Sequence, residues 1–384
     1  MDSKLKSMCM QYAWSKVIRQ IGWLLLGWLA VMTLCAFGAW DYTICQHEQG
    51  YDMACLREQY AKPVGKWPQP VIDKGVVWQE LAPVPNRLSS SLSAKAKLGE
   101  RLFFETALSL DGQISCGSCH RPEYAFADPR TVSVGVLGRK GERNSQSLVH
   151  LGLMTNQVQF FWDGRAKSLS EQVLLPLTNP NEMAISLDSI DWRLQEVGYL
   201  PKFRQVFGQQ VQAITIEQFS QAVVAYLQSL TPAQTSFDTV LLGDVSAFDD
   251  QQLLGLHLFR TKARCMNCHF GQAMSDGKLH NLNQTLAGSA FADFGAYAIT
   301  GNSADFGKFK TPSLRNLAQS KPWFHHGRFT NLEGVVEMYN QAMPERLPKS
   351  APPLARQNHK DALIVPLGLT RQERKAVVAF LLTL

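Results

Sequence analysis

The chain has 384 residues, 45% hydrophobic and 18% charged, which is enough for a packed core in two or three domains and too apolar for a disordered chain. Its formal charge of +6 is dispersed, with no long Lys/Arg run and no interleaving of basic and aromatic residues, so a nucleic-acid groove is excluded as the main function.

Near the N-terminus, residues 21–40 ("IGWLLLGWLAVMTLCAFGAW") carry no charge over twenty positions, about 30 Å as a helix, and predict one membrane span. Lys4, Lys6, Lys16 and Arg19 precede it and Asp41 follows. The positive-inside rule therefore puts residues 1–20 in the cytoplasm and everything after the span outside it, a single-pass inner-membrane protein facing the periplasm. The competing reading is a cleaved signal peptide with Gly38 or Ala39 at the cut, but the apolar stretch exceeds a usual signal core. Cys9 and Cys35 are expected to be unpaired. Cys45 and Cys55, just past the span, can pair in an oxidising compartment.

Residues 41–80 read as a periplasmic tether, because the Pro- and Gly-rich run from Lys62 lacks clear periodicity. Beyond it, strand-like alternation is scarce and helix starts are frequent. Thr215 with Gln218, Thr330 with Glu333 and Thr370 with Glu373 have capping-box spacing. Two similar amphipathic segments, "TIEQFSQAVVAYLQSL" and "TRQERKAVVAFLLTL", would each close a domain. The expected class is mainly α: two domains with long loops, 81–235 and 236–384, preceded by one transmembrane helix.

The haem expectation comes from "CGSCH" (Cys116, Cys119, His120) and "CMNCH" (Cys265, Cys268, His269). C-x-x-C-H presents two thiols to the vinyl groups of one haem while the adjacent imidazole reaches its iron, so two covalent haem c groups are expected, one in each of two cytochrome c-like haem domains. A thioredoxin-type dithiol would lack the following His and need a parallel sheet, which the pattern does not support.

With these motifs in place, the chain from about residue 80 to 384 resembles the bacterial dihaem cytochrome c peroxidases and their relative MauG, which oxidises tryptophans on a partner protein. The resemblance rests on "AKLGERLFFETALSLDGQISCGSCH", "GERNSQSL", "FFWDGRAKSLSEQVLLPLTNPNEM", "LFRTKARCMNCHFG" and "FKTPSLRNLAQSKPWFHHGRF", all collinear. It implies several roles. Trp162 would pass electrons between the haems, Glu182 would be the acid that moves peroxide protons, and Gln172 its neighbouring amide. Asn144, Ser320 and Pro322 match positions that hold a calcium ion. Ser320 replaces the family's usual Thr, and beside His325, a family position, His326 replaces the usual Asp. The peroxidases also carry a loop histidine that blocks the first haem. Here no histidine occurs from 121 to 149 and that position falls on Val136, which implies a first haem open to peroxide. His150, the nearest substitute, reads as a core histidine.

The second haem's other ligand is sought in "VVEMYNQAM", which offers Met338, Tyr339 and Met343. A helix capped by Thr330 puts Leu332, Val335, Val336 and Tyr339 on one face, with Met338 off it, and Pro344 disfavours helix at Met343. The resemblance agrees: the peroxidases place a Met at the Tyr339 position and MauG a Tyr. The leading expectation is a peroxidase taking hydrogen peroxide and electrons from a small cytochrome c, cupredoxin or quinol. The alternatives are a MauG-like oxidase of a protein substrate and an electron-transfer cytochrome without a substrate.

Overall fold

The computed structural model describes residues 44–48, 50–85, 91–154, 159–344, 347–357 and 360–384. Helices dominate it. Among the described residues the only sheets are two antiparallel pairs, β1 (Gln46–His47) with β2 (Gly50–Tyr51), and β3 (Leu279–Asn281) with β4 (Lys308–Lys310).

Two helix crossings organise the chain. Helix α1 (Ala94–Phe103) packs on α2 (Ile216–Ser229), and α3 (Asp250–Arg260) packs on α4 (Arg371–Leu381). Each crossing brings backbones so close that a side chain cannot intervene. A Cβ on Gly99 would run into the Ala222 carbonyl, and one on Gly255 into the Ala376 carbonyl. Around the first crossing lies a buried apolar cluster whose members all fall between Leu98 and Leu230. Around the second, the Phe237, Phe248 and Phe259 rings each meet Phe380 edge-on, at 5.1 to 6.2 Å between centroids. Both amphipathic segments therefore form helices where their apolar spacing predicts, and both are started by the expected capping boxes, Thr215 with Gln218 and Thr370 with Glu373.

The third box does not form. Helix α5 (Leu332–Asn340) is capped by Asn331, whose side chain accepts from the Gly334 N–H at 3.3 Å, because an amide side chain one residue later competes for the first turn. The helix ends at Asn340 as expected, and Ala342 and Met343 follow with φ of +57° and +50°.

Residues 45–85 also depart from expectation, for they are packed rather than tethering. A Cys45–Cys55 disulfide ties the β1–β2 pair to the helix Met53–Tyr60, on which Leu56 and Tyr60 are buried. The Tyr60 hydroxyl meets His257 Nδ1 at 3.1 Å. The following extended stretch runs behind the second haem motif. Arg260 donates to the Pro68 carbonyl and pairs with Glu80, Arg264 pairs with Asp73, and Asn267 accepts from the Asp73 N–H at 2.7 Å and donates to the Val71 carbonyl. Single anchors spaced along an extended chain leave no periodicity to read, hence the mistaken tether. Among the described residues no helix is long and apolar enough to cross a membrane, while residues 1–20 and the expected span at 21–40 lie outside them.

The crossings predict that Gly99→Ala and Gly255→Ala each destabilise the fold by roughly 1–3 kcal/mol, the usual range for forced overpacking. Urea unfolding followed by circular dichroism checks this, and an unchanged midpoint in both variants would contradict the close approach.

Candidate haem sites

At the first motif, one helical turn, Cys116–Cys119, sets both thiols on the same wall, its start closed by the Ser115 N–H donating to Ser118 Oγ at 3.0 Å. His120 leaves the helix, and its Nδ1 lies 3.0 Å from the Phe126 carbonyl and 3.1 Å from the Gln146 carbonyl. Two acceptors around Nδ1 require a hydrogen there, so the Nε2 lone pair is the free one. The second motif repeats the device with His269 Nδ1 3.0 Å from the Met274 carbonyl. Burial lowers the pKa of both imidazoles despite these hydrogen bonds, which keeps them neutral and able to ligate. Phe126 and Met274, which supply the carbonyls, both have left-handed backbones, with φ of +57° and +50°.

The thiols do not resemble a redox pair. Burial, with a smaller contribution from the neighbouring thiol, pushes Cys116 and Cys265 up to about 12, and burial pushes Cys119 up to about 11, whereas reactive dithiols have lowered values. Among the described residues, only Cys268, Asp276 and His280 cluster closely enough to share a metal through Cys, His or carboxylate ligands. His280, however, sits 2.5 Å from Asp361 and 2.8 Å from Asp276. Although burial opposes its charge, these carboxylates raise it to about 12, so it is an imidazolium and no ligand.

Each motif opens into its own cavity, and the apolar walls, paired thiols and free Nε2 of each suit a haem c. The first, about 400 Å³, is lined by Cys116, Cys119 and His120 together with Gln172 and Glu182. Helix Leu169–Thr178 carries Gln172, whose Oε1 is buried without a partner. Asn179 Nδ2 donates to Glu182 Oε1 at 2.7 Å. Burial raises the Glu182 pKa against the opposing effects of Arg165 and Asn179, so this carboxyl holds a proton at a higher pH than an exposed one. Val136, at the loop-histidine position, is fully buried in a turn whose N–H donates to the Glu182 carbonyl at 2.9 Å. Among the described residues, His120 and His150 are the only histidines lining this cavity.

The second cavity, about 210 Å³, is lined by Cys265, Cys268, His269 and the expected face of α5: Leu332, Val335, Val336 and Tyr339. Met338 and Met343 are not among its walls, and Met343 is fully buried elsewhere. Burial, aided by the two thiols, holds the Tyr339 phenol well above its ordinary value, so only a strong positive charge in the cavity would ionise it.

Trp162 lines both cavities. Its Nε1 donates to the Asn144 carbonyl at 2.8 Å, the Asn144 N–H donates to the His325 carbonyl at 2.7 Å, and the His325 ring stands edge-on to Trp162 at 6.3 Å. His325 in turn stacks on Phe309 at 3.6 Å. Asn144 reaches the Asp128 and Arg130 carbonyls through Nδ2, which turns Oδ1 away from them, and Asn144, Ser320 and Pro322 all border the second cavity. His326 accepts from the Arg328 N–H and lies 3.4 Å from Gln284 Oε1, a structural role for the departure from the family's Asp. Sequence reasoning missed Gln146 and Lys310, both of which line both cavities. For Lys310 the available signal was one Lys between Phe309 and Thr311, on a strand too short to register.

Comparison with known proteins agrees with this geometry. The family model of the di-haem cytochrome c peroxidases matches residues 93–246. The methylamine utilization protein MauG of Methylorubrum extorquens is 31% identical over 369 residues, 94% of each chain. Cytochrome c551 peroxidase of Nitrosomonas europaea is 34% identical over 63% of this chain and 71% of its own. The crystal structure of a MauG-like protein associated with microbial copper homeostasis superposes with a TM-score of 0.68 at 28% identity, covering 82% of this chain and 95% of that one. The chain belongs to the di-haem cytochrome c peroxidase family, which includes MauG.

Proposed function

We propose that the protein is a peroxidase: hydrogen peroxide enters the first cavity and leaves as water, with two electrons and two protons consumed per peroxide. The electrons come through the second cavity from a small cytochrome c, a cupredoxin or a quinol. The two haem c groups, when bound, supply the iron and the stored redox equivalents. His120, His269 and Tyr339 would hold the irons, Tyr339 and His269 the second, and the four motif cysteines the macrocycles. Residues 81–235 and 236–384 would be the two haem domains.

The observation that carries this reading is Glu182 in the same cavity as His120, with no other histidine there but His150 among the described residues. A buried carboxyl steadied by Asn179 is suited to take a proton from peroxide and return it to the departing oxygen, and the orphaned Gln172 Oε1 offers an acceptor beside it. A cytochrome that only passed electrons would have no use for that arrangement. Trp162, between the cavities, is the proposed electron relay. A calcium ion held by Asn144 Oδ1 and the Ser320 and Pro322 carbonyls would brace the same junction. Tyr339 supports a second reading, a MauG-like oxidase that withdraws electrons from tryptophans of a partner protein, because a phenolate stabilises oxidised iron. We further propose that residues 21–40 anchor the chain in the inner membrane with the cavities in the periplasm, where the Cys45–Cys55 disulfide would persist.

Three outcomes are expected. Glu182→Gln should leave both haem spectra unchanged and lower peroxide turnover on the order of a hundredfold or more. Because the carboxylate must be ionised to take the first proton, the wild-type rate should rise with pH through the elevated Glu182 titration, and the variant should be flat there. Full turnover in Glu182→Gln would overturn the assignment. Tyr339→Met should raise the second haem's potential and change its ferric spectrum, with Met338→Leu silent, and an unmoved spectrum in Tyr339→Met would refute ligation. Cell fractionation should find the full chain in the inner membrane and a chain whose residues 1–43 are replaced by a cleavable export signal in the soluble periplasm, whereas soluble full-length protein would favour a cleaved signal.

A further inference from the structure

Lys310 is 3% exposed and His150 is 3% exposed, and both line both cavities. Lys310 ends strand β4, with its backbone N–H donating to the Trp162 carbonyl at 2.7 Å, so its side chain springs from beside the tryptophan. No carboxylate among the described residues lies within ion-pairing distance of it. Burial, only partly offset by distant Asp276, drags its pKa down to about 8.

Two polar atoms on the same cavity walls are unsatisfied. His150 Nδ1 and Gln146 Nε2 are buried without hydrogen-bond partners. Burial, with the Lys310 charge adding to it, drives His150 down to about 3, so this imidazole stays neutral and donates from one nitrogen only. The Lys310 ammonium, which has no carboxylate pair among the described residues, thus lines both cavities together with an unpartnered amide N–H and an unpartnered imidazole nitrogen, and a lone ammonium is costly to bury unless an anion meets it. Gln146 also binds the seat to the first motif, since its carbonyl accepts the His120 Nδ1 hydrogen.

We propose that Lys310, His150 and Gln146 form a carboxylate seat between the two cavities that receives a haem propionate, so that the Lys310 charge sets the potentials of both irons together. Lys310 is thereby a positioning and tuning residue rather than a catalytic one. The inference rests on the dihaem reading. It asks that a carboxylate be matched by one fixed positive charge, and the same charge favours the reduced state of any iron near it.

The test is a spectroelectrochemical titration of the full-length holoenzyme, after intact mass has shown two haems on the wild type. Their absence would fail the dihaem reading itself and not the seat. Lys310→Met should lower both midpoint potentials, by about a tenfold change in the reduced-to-oxidised ratio at fixed potential, or about 59 mV for a one-electron couple. Lys310→Arg should hold both near wild type. Unchanged potentials in a fully loaded Lys310→Met would overturn the proposal. If Lys310→Met loads fewer than two haems, full loading of Lys310→Arg supports a charge requirement, whereas equal failure of both points to packing and overturns it. Wild-type potentials should not respond to added acetate, and a response would mean that a free carboxylate from solution occupies the seat instead of a propionate.

Discussion

Each haem motif depends on one hydrogen bond, that from the imidazole Nδ1–H to a backbone carbonyl. The bond selects the tautomer, turns the Nε2 lone pair to the cavity and fixes the ring plane relative to the two thiols one turn away. Beside the Gln146 carbonyl at the first motif, the carbonyls come from Phe126 and Met274, which hold left-handed backbone conformations that packing must enforce. For Phe126 the α1–α2 crossing provides that packing, through the Phe103 and Tyr226 rings.

Around these fixed imidazoles the two cavities differ in kind. The first presents Glu182 and Gln172, groups that can move or accept a proton, and Val136, at the loop position, is buried and is not among its walls. The second presents an apolar helix face with a single phenol on it. One haem type in two such surroundings would react differently, the first with a small oxidant and the second by holding charge. Trp162 is common to both walls, and its backbone and indole are fixed by Lys310 and Asn144, so neither cavity can shift without moving a residue they share.

Much of this was legible in the sequence because it rests on local spacing. C-x-x-C-H fixes its own geometry, and amphipathic spacing located both closing helices and the inward face of α5, including Tyr339. Capping was read correctly where Thr stood alone, and wrongly at Thr330, where Asn331 competes one residue later. What escaped was set by distant contacts. The stretch after Lys62 has no period because its anchors are Asn267, Arg260 and Arg264 of another segment. Lys310 escaped because a lone lysine reads as surface until tertiary structure surrounds it. The recurrence of Leu-Gly-x-x-Leu-Phe at 98–103 and 254–259 was a signal for the paired crossings that the reading did not use.

The central claim is that two covalent haems in one chain occupy unlike iron environments, open at His120 and closed by Tyr339 at His269. Electron paramagnetic resonance of the resting ferric holoenzyme tests it most directly. The expected result is one high-spin and one low-spin ferric signal of equal weight, with only the high-spin signal responding to a small exogenous ligand. Two low-spin signals, neither of them responsive, would contradict it.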